Sequence, residues 1–193
     1  MMGREFELKF RATEAQQQAI QEQYAPWQRM EMETTYYDTP TGELSRRKVT
    51  LRCRLENGVS VCTVKTPAEN GARGEWECLC DDVLLAVDIL CKLGAPEELK
   101  QWISPGLRVR CGARFTRLCR EVCAEGCVME LALDSGVLLG GAREMPLCEV
   151  ELEHKEGNEA ATEQFAKAFA AAYSLRPEEK SKFQRASALA DEP

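Results

Sequence analysis

The alternation of charge along the strand-like segments constrains this chain more than any other feature. In EFELKF, Glu5, Glu7 and Lys9 share one face of an extended chain, and Phe6, Leu8 and Phe10 share the other, because successive strand side chains point to opposite faces. LRCRL sets Arg52 and Arg54 against Leu51, Cys53 and Leu55. VCTVK puts Lys65 with Val61 and Thr63, against Cys62 and Val64. RGEWEC opposes Arg73, Glu75 and Glu77 to Trp76 and Cys78, and CEVELEH opposes Glu149, Glu151 and Glu153 to Val150, Leu152 and His154. Any one of these fits a half-buried antiparallel strand with a wet polar face. The set fits less well, because solvated faces usually mix Lys, Ser, Thr and Gln. Like charges two residues apart on one face lie about 7 Å apart and repel unless something of opposite charge sits between them.

A sheet closed into a barrel supplies that arrangement. Alternate side chains then point inward. With the charged faces inside, the apolar faces point outward and must be covered by helices. The interior becomes a polar tunnel, with carboxylates from the first and last strands and cations from the middle ones. Acids alone would hold metal and bases alone would hold an anion. Together they imply a metal-bridged polyphosphate, with Mg²⁺ or Mn²⁺ on carboxylate and phosphate oxygens and Arg and Lys on the remaining phosphate charge.

The remaining sequence provides those elements. Thr13 caps a helix running to about Tyr24. Asp81 and Asp82 open a second, with Leu84, Leu85, Ile89 and Leu90 on one side and Gly94 as its stop. A short helix covers Glu97 to Trp102, and Asn158 caps an alanine-rich one through Phe165, Phe169 and Tyr173. Pro177 fits the first turn of a further helix, with Glu178 and Glu179 at its positive end. Strand-like runs cover Glu5 to Arg11, Met30 to Asp38, Val49 to Glu56, Val59 to Thr66, Gly74 to Cys80, Gly106 to Thr116, Thr116 to Ala124, Cys127 to Asp134 and Leu147 to His154. Asn57-Gly58 is a strong hairpin signal, and Glu125-Gly126 plays a similar part. Strands joined mostly by turns predict an antiparallel α+β fold.

With 193 residues the chain is read as one domain. Its net charge of -7 argues against a nucleic-acid binder or an anionic-membrane binder. No signal-peptide core or membrane-length apolar run occurs, which predicts a cytoplasmic protein. The 10 cysteines include no Cys-x-x-Cys pair, and in a reducing cytosol they read as small buried hydrophobes. Cys119, Cys123 and Cys127 have helical spacing, but Val122, Val128, Leu131 and Leu133 nearby favour strand. His154, the single histidine, lies opposite the glutamates by parity and is excluded as a ligand. No Ser-His or Cys-His nucleophile is available elsewhere.

The ordered motifs resemble the CYTH superfamily, the triphosphate tunnel metalloenzymes. Glu5-x-Glu7-x-Lys9 resembles its E-x-E-x-K signature, and Tyr36-Tyr37-Asp38-Thr39-Pro40 its YYDTP strand end. Leu51-Arg52-Cys53-Arg54 is similar to its L-R-x-R strand, Lys65 to its tunnel lysine, and Arg73-Gly74-Glu75 to its R-x-E. Arg117 falls on its strand-borne arginine, Glu130 to Asp134 on its E-x-x-x-D strand, and Glu149-x-Glu151-x-Glu153 on its final strand. Ser181-Lys182, with Lys180 and Arg185, resembles its C-terminal S-K-x-x-R helix.

The resemblance spans residues 5 to 185 and implies one CYTH domain over 1–193. It implies a closed eight-stranded antiparallel β-barrel with helices packed outside and metal-dependent chemistry on a triphosphate. On that footing Glu5, Glu7, Glu151 and Glu153 are expected to hold divalent metal, with Glu149 and Asp134 close by. Such clamps use two ions about 4 Å apart. Lys9, Arg52, Arg54, Lys65, Arg73, Arg117, Lys180 and Lys182 are expected to hold phosphate, with Glu75 and Glu130 as supporting groups. Inorganic tripolyphosphate is the preferred substrate, because no added segment is left to recognise a base or sugar. Trp27 in a helix-strand connection reads as packing. A class IV adenylyl cyclase, a thiamine triphosphatase and a non-catalytic polyphosphate-binding module are the alternatives. The expected partner is a small-molecule triphosphate, with no nucleic acid or membrane, on a monomer or homodimer.

Overall fold

Turn chemistry and alternation carry most of the architecture. The computed structural model describes residues 6–69 and 72–191, with the backbone alone at 68, 69, 72 and 73. In chain order the elements are β1 (Glu7–Arg11), α1 (Glu14–Gln23), β2 (Gln28–Asp38), α2 (Glu43–Arg46), β3 (Thr50–Glu56), β4 (Val59–Glu69) and β5 (Ala72–Leu79). There follow α3 (Val83–Lys92), α4 (Glu98–Trp102), β6 (Arg108–Ala124), β7 (Cys127–Gly140), β8 (Arg143–Gly157), α5 (Glu159–Ala172), β9 (Arg176–Pro177) and α6 (Lys182–Asp191). The β3–β4 hairpin turns at Asn57 and Gly58, whose φ values of 50° and 85° suit an Asn-Gly turn. Gly126, at φ 82°, turns β6 into β7.

All pairings are antiparallel, in the order β5-β4-β3-β2-β6-β7-β8-β1-β9. The closed eight-stranded barrel is therefore corrected. The sheet has nine strands, and among the described residues no ladder joins β5 to β1 or β9. On its outer edge β1 pairs with β9 over its last two residues. Phe10 and Arg11 face Pro177 and Arg176 of β9, and the Lys9 carbonyl accepts from the Glu178 amide at 2.8 Å. The sheet nevertheless curls, because one cavity of about 620 Å³ is lined from all of β1 to β8.

The outward apolar faces are covered as alternation requires. α3 and α4 bury Leu51, Cys62, Val64 and Trp76 beneath Ala86, Val87, Leu90, Leu99 and Ile103. α1 and α5 bury Phe10, Leu131, Leu133, Val150 and Leu152 beneath Ile20, Ala166 and Phe169. Trp27 belongs to this second layer, its Nε1 donating to the Gln21 carbonyl at 3.0 Å. Leu152→Ala, at a fully buried site, is expected to cost about 2–5 kcal/mol in denaturant unfolding, because the cavity cannot fully collapse.

Several elements differ from the sequence reading. α3 buries Ala86, Val87, Leu90 and Cys91, while Leu84 and Leu85 are 57% and 55% exposed. The four buried positions recur at helical spacing and share a cluster with Trp76, which leaves Leu84 and Leu85 on the outward side. The two runs between Gly106 and Ala124 form one 17-residue strand, β6. Pro177 lies in β9, and α6 starts later, at Lys182. The start of α6 is fixed by a reciprocal cap, Gln184 N to Ser181 Oγ at 3.1 Å and Ser181 N to Gln184 Oε1 at 2.8 Å.

α6 also corrects the expectation that every helix packs outside. Phe183 and Ala186 pack on the inward residues Tyr36, Cys111, Ala113, Phe115, Leu138 and Leu147, so α6 plugs one end of the curled sheet. Gly140 permits this, because a Cβ there would lie 2.6 Å from the Ala186 carbonyl and the Ala190 amide.

The cysteines are also corrected. Cys53 and Cys62, opposite each other on β3 and β4, are joined by a disulfide. Cys91, Cys111, Cys119 and Cys127 are free and buried, as small hydrophobes would be. Among the described residues no helix is long and apolar enough to cross a membrane.

Candidate active site

The inward faces of β1, β7 and β8 carry the acids in three rows set by register. Glu130, Glu153 and Glu7 form the first row, Ala132, Glu151 and Lys9 the second, and Asp134, Glu149 and Arg11 the third. Opposed side chains on neighbouring strands have Cβ atoms about 4.5–5.5 Å apart, so each row is a contiguous chemical unit. The opposite wall is basic. Arg52 and Arg54 project from β3 and Lys65 from β4, and all three line the cavity.

The deep acids are closed off by internal cations. Lys182 on α6 places its Nζ 2.8 Å from Asp134, 2.9 Å from Glu149 and 2.7 Å from Glu151, one carboxylate for each of its three protons. Arg117 on β6 grips Asp134 through Nε and Nη2, both at 2.7 Å, and also meets Glu151. Arg185, one turn along α6, pairs with Glu149. Three carboxylates thus meet three cations. Burial works against the Glu151 carboxylate, but Lys182 and Arg117 overcome it and hold its pKa well below the usual range. Burial pushes the neighbouring Glu149 carboxyl up, against the pull of Lys182. Burial also opposes charge on Lys182 and Arg117, yet Asp134 and Glu151 raise both above their ordinary values.

The basic wall has carboxylates of its own beside it. Arg54 holds Glu56 through its Nε at 2.7 Å. Burial and then the neighbouring Arg52 lower the Arg54 pKa, against the pull of Glu56. Lys65 meets Glu75 at 3.0 Å, and Arg52 lies 3.8 Å from Glu75 and 3.7 Å from Glu77. Glu75 is thus a partner of tunnel cations. On β1, Lys9 donates to Glu7 at 3.2 Å, and at the mouth Lys155 meets Glu153 at 2.8 Å.

The structure brings Glu7, Lys9, Arg52, Arg54, Lys65, Glu75, Arg117, Glu130, Glu151, Glu153 and Lys182 to one cavity. Asp134 and Glu149 lie beneath it, fully buried. Lys180 is exposed and is not among the residues that line the cavity. Glu5 lies outside the described residues, as does the side chain of Arg73. His154 faces outward, with Nδ1 2.8 Å from Thr162 Oγ1. Sequence reasoning missed Glu56 as a cavity residue, though it shares a face with Arg52 and Arg54. It also gave Glu77 no role, though that residue continues the face of Glu75 and accepts from Thr63 at 2.9 Å.

A family model for the CYTH domain matches residues 3–187. The chain belongs to the CYTH family. An inorganic triphosphatase of Haemophilus influenzae is 29% identical over 126 residues, 64% of this CYTH chain, and the match spans only 36% of that protein's length. A Hippeastrum protein, for which a dominant triphosphatase activity is reported, shares the fold at TM-score 0.68 and 17% identity, over 98% of each chain. The PH1819 protein of Pyrococcus horikoshii OT3 follows at TM-score 0.61 and 20% identity, covering 94% of this chain and 97% of its own. At these identities the likeness of the two structures is one of fold.

The residues present suit a hard divalent cation in one place. As the side chains stand, no group of three or more Asp, Glu, His or Cys among the described residues closes on a metal-sized space. The deep row is already balanced by Lys182, Arg117 and Arg185. The row of Glu7, Glu153 and Glu130 offers only carboxylate oxygens on three adjacent strands and faces the basic wall across the cavity. That donor set fits Mg²⁺ or Mn²⁺.

Proposed function

We propose that this CYTH chain hydrolyses a triphosphate, with inorganic tripolyphosphate as the preferred substrate. One observation carries the reading: a row of carboxylates and a wall of arginine and lysine face each other across a single cavity. In this reading Glu7 and Glu153, with Glu130 beside them and Glu5 as a further ligand, would hold Mg²⁺ or Mn²⁺. The bound ion would supply charge neutralisation at phosphate oxygens and an acidified water. Arg52, Arg54 and Lys65 clamp the phosphate chain and stabilise charge developing on the departing pyrophosphate. Lys9 stands beside Glu7, where it orients that carboxylate and adds positive charge. Asp134, Glu149 and Glu151 act through their pairs, fixing Lys182 and Arg117 in the cavity floor. The Haemophilus influenzae triphosphatase supports the reading as a sequence relative.

The test is phosphate release from tripolyphosphate with Mg²⁺ or Mn²⁺, with ATP and thiamine triphosphate in parallel. Tripolyphosphate is expected to give the highest kcat/KM, and Glu7→Gln to lower it at least about tenfold while weakening Mn²⁺ binding by calorimetry. Full activity in Glu7→Gln would sink the metal assignment. Cyclic AMP and pyrophosphate from ATP, without phosphate, would turn the reading to a cyclase.

A further inference from the structure

The outer side of the basic wall carries chemistry that phosphate binding does not use. Register sets Cys53 on β3 opposite Cys62 on β4, and Cys62 opposite Cys78 on β5. The three sulfur-bearing residues form one row on the face turned away from the cavity. Cys53 and Cys62 are disulfide-bonded, and Cys78 is a free, half-buried thiol. We propose that Cys53, Cys62 and Cys78 form a thiol–disulfide exchange centre, in which Cys78 takes Cys62 from Cys53.

The sheet geometry supports this transfer. An antiparallel residue is in a narrow pair with one neighbouring strand and in a wide, hydrogen-bonded pair with the other. Cys53 and Cys62 lie 4.1 Å apart at Cα, the narrow kind. The β4–β5 side is the hydrogen-bonded one at this parity, because the Cys80 amide donates to the Ser60 carbonyl two residues along. The Cys62–Cys78 pair is therefore wide, about 5.5 Å at Cα. That separation lies inside the range disulfides span, about 4.4–6.8 Å. The row also sets Cys53 and Cys78 on opposite sides of Cys62, the order that displacement at sulfur needs.

The step balances without an outside oxidant. The Cys78 thiolate forms a bond to Cys62 Sγ as the Sγ–Sγ bond to Cys53 breaks. The electron pair leaves with Cys53 Sγ, which takes up the proton Cys78 gave. One disulfide and one thiol exist before and after. Burial raises the Cys78 thiol above its ordinary pKa, with Cys80 and Glu77 adding to it, so exchange is slow near neutrality and quickens as pH rises. The transfer unties β3, which carries Arg52 and Arg54, and ties edge strand β5, which carries Glu75 and Glu77. A small dithiol reductant acting on either bond would leave three thiols.

The full chain, without reductant, is held at about pH 7 and about pH 9, quenched in acid, blocked with N-ethylmaleimide and digested with trypsin unreduced. The starting bond joins fragment 53–54 to 55–65, and the exchanged bond joins 55–65 to 74–92. Both species are expected, the second growing severalfold at the higher pH. Cys78→Ser is expected to abolish the second, and Cys80→Ser to leave it. Cys53→Ser with oxidised glutathione is expected to yield the second alone. The proposal is overturned if wild type shows only the first bond or none at both pH values, or if the second persists in Cys78→Ser. Because Cys80→Ser and wild type carry the comparison, it stands even if Cys53→Ser does not fold.

Discussion

Replacing Lys182 by methionine is expected to destabilise the folded protein by about 3–5 kcal/mol at neutral pH. The ammonium is shared by Asp134, Glu149 and Glu151, at 2.7–2.9 Å, and two of those acids are fully buried. Methionine keeps the volume and removes the charge, leaving a buried acid cluster one cation short. The pH dependence gives the effect a signature. In the wild type, Glu151 has a folded pKa below its unfolded value, so it stabilises the fold above about pH 4.3 and loses that contribution as pH falls through the folded value. In the variant that carboxylate has lost its main support, and acid relieves its excess charge. The gap between the two proteins should narrow as pH drops into the carboxylate range. Leu152→Ala, which removes no charge, should show a gap that stays level. Urea unfolding of all three across pH decides it, and a loss under about 1 kcal/mol at neutral pH would show that Arg117 and Arg185 suffice to hold the acids.

Arg54→Ala is expected to lower kcat/KM for tripolyphosphate by about 10²–10³, the cost of removing one well-placed charged donor. Arg54→Lys should recover only part of this, because an ammonium cannot present a planar fork to phosphate. Stability should move the other way. Burial and Arg52 both disfavour the Arg54 charge, so its removal relieves repulsion within the wall. A melting temperature equal to or above wild type, together with lost turnover, is the expected pair of results. Unchanged kcat/KM with a lower melting temperature would make Arg54 a structural residue.

The sequence was most legible where two local signals agreed. Thr13 and Asn158 cap α1 and α5, and Asn57-Gly58 turns β3 into β4, because cap and turn chemistry act within a few residues. The inward charged faces were legible because strand parity is strict. What the sequence left hidden depends on contacts between distant segments. The neutralisation of Asp134 and Glu149 depends on where α6 docks, and nothing local to β7 or β8 announces it. The pairing of β1 with β9 rests on Arg176 and Pro177, which look like a helix start. The exposure of Leu84 and Leu85 follows from which face of α3 packs on the sheet, a contact between separate segments. The disulfide needed the β3–β4 register to be seen, since the spacing of Cys53 and Cys62 alone says nothing of opposition.

The closing of the acid rows by α6 bears on how the chain acquires its fold. β1 pairs only with β8 and β9, both far along the chain, so Glu7 meets Glu153 across most of the described sequence. The deep carboxylates find their cations only when Lys182 and Arg185 arrive from still further along. A growing chain would therefore carry β1 without its strand partner until β8 has been made. Contacts of such long range slow two-state folding, because loop closure precedes its reward. The first half, β2 to β5 with α3 and α4, has its own layer of apolar contacts and can form early. Assembly of the charged cavity would then wait on the docking of one ten-residue helix.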